Sequence, residues 1–288
     1  MGVLGIFKEI TGKIDNGMDD EKFINKEFKK YFGKTPDLFS PSTINEKIQW
    51  LKINDIASDL YVTLLDKYKV KEYASKKIGG EHVIPLYNVY NDISEYRQEE
   101  FLHPYVLKCT HGEDYRYICK DTYNLNISDL KSTINSFMNR EYFYVAREWP
   151  YKEIKHRIIA EAFMDDGENL EPNDYCVLTM NSEPVYMFIY TEKYRDKKKF
   201  DAFDVNGLHI DFTWGYENST EKVALPKGFD DMLSYAKSLS EGTKLARVDF
   251  YQIKNEVYFH AISLYPEHGF KPILPEVYDI KLGEMLKF

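Results

Sequence analysis

The sequence predicts an α+β protein, with helices mostly in its first half and antiparallel strands mostly in its second. Three observations carry that expectation. Apolar residues recur at helical spacing in several segments before residue 140. Period-two runs rich in β-branched and aromatic residues dominate from residue 157 onward. The two kinds of segment do not alternate as a βαβ repeat would require. Aromatic residues make up 16% of the chain, with 24 Tyr and 18 Phe, which fits a strand-rich core.

The first forty residues are polar and helical in character and end at the loop Gly33-Lys34-Thr35-Pro36. They read as an N-terminal extension, 1–40, ahead of a main region, 41–288. Within the extension, Val3, Leu4, Ile6, Phe7, Ile10 and Ile14 form an apolar stripe suited to docking on the protein's own body or on a membrane surface. Lys8 and Lys13 are too sparse for strong lipid attraction, which favours the first. The next helix starts after Pro41-Ser42, where Thr43 and Glu46 have capping-box spacing ahead of Ile48, Trp50 and Leu51.

Residues 60–78 read as one helix through Leu64, Leu65, Tyr68 and Val70, stopped by Gly79-Gly80. Strands are expected over 83–90 and 105–109, the second joined by a polar loop to a strand over 117–120. A helix over 128–140, capped by Ser128, places Leu130, Ile134, Phe137 and Met138 on one side. Strands follow over 157–163, 176–180, 185–190, 246–253 and 257–264, with one helix over 230–239. Pro266, Pro272 and Pro275 then enforce irregular chain before a short C-terminal helix.

Composition excludes some functions. At 288 residues the chain can bury a full core in one domain or two lobes. A net charge of −9 argues against a nucleic-acid partner, because binding phosphates needs a concentrated basic surface. Cys109, Cys119 and Cys176 are too few and oddly numbered for a disulfide framework, which points to a reducing cytosol. Cys109, His111 and Cys119 lack an evident fourth zinc ligand. No stretch approaches the ~20 apolar residues that span a bilayer, and no signal core is apparent. A cytoplasmic protein is expected, with peripheral contact at the inner face of the membrane as the alternative.

Three segments combine polar groups with strands. Lys108 shares a strand face with Val106 while Tyr105, Leu107 and Cys109 face the other way, so its ammonium either contacts a phosphate or snorkels from an open sheet face. Glu161 ends the apolar strand Arg157-Ile158-Ile159-Ala160-Glu161 and either accepts hydrogen bonds from a ligand or lies on a solvated rim. In the third segment a turn near Asn255 would pair two strands, placing Asp249 opposite Ala261, Arg247 opposite Ser263 and Tyr251 opposite Phe259. Asp249 needs a partner there, and Arg247 in an ion pair competes with Mg²⁺ for that role.

Taken in order, these segments resemble the TupA-like ATP-grasp family from about residue 40 to the C-terminus. The likeness rests on Thr43-Ile44-Asn45-Glu46-Lys47-Ile48-Gln49-Trp50-Leu51-Lys52, Asp66-Lys67-Tyr68, Val106-Leu107-Lys108-Cys109 with His111-Gly112, and Ile118-Cys119-Lys120-Asp121. It continues through Arg147-Glu148-Trp149-Pro150, Ile158-Ile159-Ala160-Glu161, Arg247-Val248-Asp249-Phe250-Tyr251 and Tyr278-Asp279-Ile280-Lys281-Leu282-Gly283-Glu284. The resemblance implies two α+β lobes, about 41–155 and 156–288, with antiparallel sheets enclosing a nucleotide cleft. It implies ATP-dependent carboxylate–amine ligation onto a sugar or uronic-acid acceptor in capsule, exopolysaccharide or teichuronopeptide synthesis.

The same resemblance implies that Lys108, His111, Gly112, Glu161 and Phe163 bind ATP, that Arg247 and Lys108 act in catalysis, and that Asp249 holds Mg²⁺. Three departures stand out. Glu113-Asp114-Tyr115-Arg116 replaces a glycine-rich run, Cys176 replaces a Lys, and Ala261 replaces the second metal-binding Glu, with Glu267-His268-Gly269 following in place of Gly-Ser-Gly. A methyl group cannot ligate Mg²⁺, so Glu267, His268 or Asp211 would have to supply a displaced ligand. Two other readings compete. One is a non-catalytic descendant that binds nucleotide, glycan or a pathway enzyme. The other is a glycosyltransferase using Asp201 and Asp204, although Asp204-Val205-Asn206-Gly207 reads as a turn.

Overall fold

The computed structural model describes residues 17–55, 58–167, 172–192 and 198–288, so the apolar stripe between Val3 and Ile14 lies outside the described residues. The helices are α1 (Asp20–Phe32), α2 (Ile44–Asn54), α3 (Asp59–Leu65), α4 (Lys69–Ile78), α5 (Ile127–Met138), α6 (Phe143–Ala146), α7 (Phe229–Leu239) and α8 (Val277–Met285). The strands are β1 (Leu86–Tyr90), β2 (Tyr105–Cys109), β3 (Arg116–Cys119), β4 (Ile158–Ala162), β5 (Asp174–Met180), β6 (Glu183–Thr191), β7 (Lys199–Asp204), β8 (His209–Ile210), β9 (Thr213–Trp214), β10 (Leu245–Ile253), β11 (Glu256–Ser263) and β12 (Ile273–Leu274).

The α+β expectation holds. One sheet runs β1-β4-β2-β3, a second runs β11-β10-β5-β6-β7-β8, and β12 pairs with β9, all antiparallel. Because β4 pairs with both β1 and β2, the first sheet runs past residue 155, where the sequence reading divides the lobes. A parallel bridge joins Val83, just ahead of β1, to Phe259 of β11. No helix among the described residues is long and apolar enough to cross a membrane.

Residues 60–78 form two helices instead of one. The break falls at Asp66-Lys67-Tyr68, where the Asp66 carboxylate accepts from the backbone N–H of Tyr68 (2.9 Å) and Lys69 (3.3 Å). Asp66 thus satisfies the first donors of α4, and Arg157 reaches it at 3.4 Å, yet burial outweighs these partners and pushes its carboxyl up. Helix α5 is capped by Asn126, which accepts from Asp129 N–H, and not by Ser128.

The capping box of Thr43 and Glu46 forms as its spacing predicts. Helix α2 is nonetheless unusual in burying Asn45, Glu46, Gln49 and Lys52. Each has a job. Asn45 donates to Asp279 of α8, while Gln49 and Lys52 donate to backbone carbonyls of His268 and Gly269. The junction of α2 and α8 is so close that a Cβ added at Gly283 would lie 2.0 Å from the Ser42 carbonyl oxygen.

The hairpin of β10 and β11 turns at Lys254-Asn255, both with positive φ (51° and 74°), as a two-residue hairpin turn demands. Asp249 faces Ala261 and Arg247 faces Ser263, as the register predicts. Tyr251 pairs with Tyr258 instead of Phe259, because the ladder slips between Asp249 and Phe250 and leaves His260 as an extra residue. Such a bulge re-aims a side chain that strict alternation would send to the opposite face.

Candidate functional site

Between the two large sheets lies a small cleft, open to solvent. The first sheet and the chain after it contribute Val106, Lys108, Arg116, Ile118, Glu161, Ala162, Phe163, Met164 and Pro172, and Tyr251 enters from the second. Alternation on β2 explains the lining: Val106 and Lys108 face the cleft, whereas Tyr105, Leu107 and Cys109 are fully buried in the core.

A buried charge chain crosses this cleft. Glu161 binds the Lys108 ammonium through one carboxylate oxygen and the Lys71 ammonium, at 2.8 Å, through the other. Lys71 also donates to the Ile84 carbonyl at 2.9 Å. Burial pushes the Glu161 carboxyl up, but Lys108 and Lys71 outweigh it and hold it at about 2. Burial likewise pushes Lys108 down to about 8, against the opposing pull of Glu161. Lys108 Nζ lies 3.3 Å from His260 Nε2, and the His260 ring stacks on Tyr251 with centroids 4.5 Å apart. The bulge in β11 thus brings an imidazole against the ammonium.

A second charge chain sits on the other sheet. Arg247 and Asp249 share a face of β10 with Tyr251, about 7 Å per two residues along the strand. The Arg247 guanidinium grips Asp249 with two bonds of 2.9 Å and donates to Glu267 Oε1 at 3.2 Å. Tyr190 of β6 donates to the same Glu267 oxygen at 3.1 Å. Burial pushes the Glu267 carboxyl up, while Lys198, Arg247 and His268 outweigh it and keep it below the ordinary carboxylate range.

Glu267 lies in a turn whose backbone is left-handed at Glu267 (φ 50°) and His268 (φ 56°). Such strain persists only where the surroundings over-determine it. Here Gln49 and Lys52 hold the turn's carbonyls, and His268 Nδ1 meets Glu148 Oε1 at 2.6 Å in a buried pair. The Glu148 carboxylate overcomes the cost of burial and keeps His268 above its ordinary range. The polar face of α2 is therefore what aims Glu267 at Arg247.

The other sequence candidates are distributed as follows. Phe163 lines the cleft beside Glu161, with the Lys120 ammonium 4.6 Å from its ring centre. His111 is buried, stacked on His156 at 3.5 Å and bonded through Nε2 to the Phe137 carbonyl at 3.2 Å. Burial pushes it down to about 4, aided by His156. At Gly112 an added Cβ would lie 2.5 Å from the Tyr115 ring, so packing alone requires glycine. Both residues are thus held in the packing of the loop between β2 and β3. Glu113 follows them; burial pushes its carboxyl up, Glu148 adds to this, and His268 and Arg247 oppose it.

Asp201 accepts from His209 at 3.0 Å and from the Ser219 N–H, while Asp204 accepts from the N–H groups of Asn206 and Leu208, closing the turn its sequence suggests. Cys109, Cys119 and Cys176 are buried thiols, and burial pushes Cys109 up to about 12 and Cys119 up to about 11. Lys71, Arg116, Tyr251, His260 and Glu267 are the cleft and chain residues that sequence reasoning did not single out as ligands of a nucleotide. Lys71 carried a signal: it shares the spacing of Ala74 and Ile78, which puts a lysine on the apolar face of α4.

An uncharacterized protein of Methanocaldococcus jannaschii is 26% identical over 125 residues, covering 41% of this chain and 71% of that protein. Among solved structures, an L-amino acid ligase from Bacillus licheniformis is 10% identical with a TM-score of 0.49 over 93% of this chain. A D-alanine–D-alanine ligase from Helicobacter pylori is 18% identical with a TM-score of 0.45 over 84% of it. The corresponding ligase from Bacillus anthracis complexed with ATP is 10% identical with a TM-score of 0.43 over 71% of it. The chain spans 61%, 69% and 55% of the lengths of these three proteins. The TupA-like ATP-grasp family model matches residues 46–287, nearly the whole of the α+β body, and the chain belongs to that family.

Proposed function

We propose that this protein is an ATP-dependent carboxylate–amine ligase acting in the cytoplasm on a sugar or uronic-acid acceptor in bacterial surface polysaccharide synthesis. The observation that carries the reading is the ion chain of Lys71, Glu161 and Lys108 facing an open cleft between two sheets of an ATP-grasp family member. A carboxylate held ionised by two ammoniums keeps its position while one ammonium turns toward a phosphate. Glu161, Ala162 and Phe163 would take the base, Ile84, Val106 and Tyr251 would shield it, and Lys108 and Lys71 would meet the phosphates.

The reaction divides into two steps. An acceptor carboxylate oxygen attacks the terminal phosphorus, ADP departs, and an acyl phosphate forms; an amine then attacks the carbonyl carbon, phosphate departs and the amine loses its proton. Arg247, reaching from the second sheet, would offset charge developing on the transferring phosphoryl group. Among the described residues no three His, Cys, Asp or Glu side chains form a metal cage. Asp249 and Glu267 nonetheless fit Mg²⁺, which is commonly held by one or two carboxylates and completed by phosphate oxygens and water. When bound, Mg²⁺ would neutralise phosphate charge.

Incubation with ATP, Mg²⁺, an amine and a uronic-acid acceptor should release ADP in step with amide formation, and Lys108→Met should weaken ATP binding at least tenfold. A folded protein that fails to bind ATP at millimolar concentration in calorimetry overturns the reading. Ala261 favours a second one, a nucleotide-binding protein without turnover, since the residue opposite Asp249 offers only a methyl group. Wild-type ADP release removes that reading, and turnover gained only in Ala261→Glu supports it.

A further inference from the structure

Asp249 lies on β10 and Ala261 faces it on β11, so the partner strand offers no donor at the point where a second carboxylate would be needed. Six residues further along, Glu267 meets the guanidinium that also holds Asp249. Both carboxylates end on one guanidinium: Arg247 Nε and one terminal nitrogen hold the two oxygens of Asp249, and the other terminal nitrogen holds Glu267. Both carboxylates therefore meet the same side-chain cation, on different nitrogens of its guanidinium. In direct contact there, one positive charge meets two negative ones, all buried or nearly so. The direct contacts leave one unit of negative charge.

Glu267 is not there by accident of a loose loop. Its turn is pinned by Gln49 and Lys52 of α2, by the buried pair of His268 and Glu148, and by the Tyr190 hydroxyl on the carboxylate itself. Asp211 is exposed and His268 is committed to Glu148, which leaves Glu267 as the displaced donor among these three.

We propose that Glu267 replaces residue 261 as the second carboxylate for a divalent cation, with Arg247 as the resident counter-ion that keeps Glu267 and Asp249 aimed at one point. The cation's remaining positions would be filled by nucleotide phosphate oxygens and water. This inference rests on the nucleotide reading above. It makes the family's metal position a matter of space and not of strand register, since the carboxylate comes from the turn after β11.

The test uses Mn²⁺ as the probe, followed by its electron paramagnetic resonance signal, with a non-hydrolysable ATP analogue and the full chain. Wild type is expected to bind Mn²⁺ together with the analogue, and Glu267→Gln and Asp249→Asn each to raise the Mn²⁺ Kd at least tenfold. Ala261→Glu in the Glu267→Gln background should restore most of the loss, which a merely structural role of Glu267 would not allow. A Glu267→Gln Kd within twofold of wild type overturns the proposal. So does binding of the analogue that is unchanged by Mn²⁺, while leaving the nucleotide reading intact. Titration with Mn²⁺ alone separates the two in the other direction: binding that depends on Glu267 without binding of the analogue keeps the carboxylate pair and removes the nucleotide reading. Failure of both removes both.

Discussion

The two buried charge chains of the large sheets are opposites in composition. On the four-stranded sheet one carboxylate, Glu161, is held by two ammoniums, Lys71 and Lys108. On the six-stranded sheet one guanidinium, Arg247, is held by two carboxylates, Asp249 and Glu267. Direct contacts thus leave a positive excess on one wall and a negative excess on the other. Neither arrangement is what stability alone would select, because well-packed apolar residues often serve a buried site as well or better than an ion pair. The mismatch in the direct contacts suits a ligand of opposite sign at each, anionic toward Lys71 and Lys108 and cationic toward Asp249 and Glu267. A phosphate chain carrying a divalent cation has both.

The largest effects should come from removing the central group of each chain. Glu161→Gln leaves two ammoniums without their shared counter-charge and is expected to cost about 3–5 kcal/mol of stability, the range for breaking a buried pair. Arg247→Met leaves two carboxylates facing each other and should cost a similar amount without divalent cations. The comparison is sharpened by adding Mg²⁺ during denaturant unfolding. Recovery is expected for Arg247→Met, where a cation can take the place of the guanidinium, and not for Glu161→Gln. Equal responses of the two variants to Mg²⁺ would erase the distinction between the walls.

pH should separate the same regions through different limbs. Glu161 is held at about 2 against an ordinary value near 4.3, so its stabilisation is fully present above the ordinary value and is lost as pH falls from there through about 2. The acid limb should amount to about 3 kcal/mol and should be absent in Glu161→Gln. His268 shifts the other way. Its pKa is raised, chiefly because Glu148 outweighs burial, so its contribution is present below about 6.5 and declines as pH rises through the folded value. His268→Gln should flatten that alkaline limb and leave the acid limb untouched. Urea midpoints measured from acid to mildly alkaline pH check both.

Much of this arrangement was legible in the sequence, and what escaped it has physical causes. Alternation placed Lys108 and Val106 on one face of β2, and hairpin register placed Ala261 opposite Asp249, because period two leaves little freedom once a turn is fixed. Tyr251 was paired with the wrong residue, since the pairs between the turn and the extra residue in β11 are offset by one from those beyond it and no turn signal marks a bulge. Lys71 was readable as a lysine on an apolar helical face, but its partner is ninety residues away on β4. Glu267 was only one of three candidates. Its aim depends on Gln49 and Lys52, more than two hundred residues earlier, and on backbone strain that composition does not announce.

The smallest predicted effect is also the most selective between the two walls. Tyr190→Phe removes one hydroxyl and keeps the ring, which packs edge-on against Phe200 and Tyr216. What is lost is a hydrogen bond to a carboxylate, worth about 1.5–3 kcal/mol when the acceptor is charged. That carboxylate is Glu267, so the variant frees the one side chain proposed to have moved into the metal position while leaving Arg247 and Asp249 in place. Stability should fall by about 1.5 kcal/mol or slightly more. Mn²⁺ affinity should fall by a few fold, less than in Glu267→Gln, because the acid is retained and only its orientation loosens. Tyr251→Phe, the matched change at the base end, should leave Mn²⁺ affinity unaltered. If the two tyrosine variants weaken Mn²⁺ binding equally, the hydroxyl of Tyr190 is not what aims Glu267.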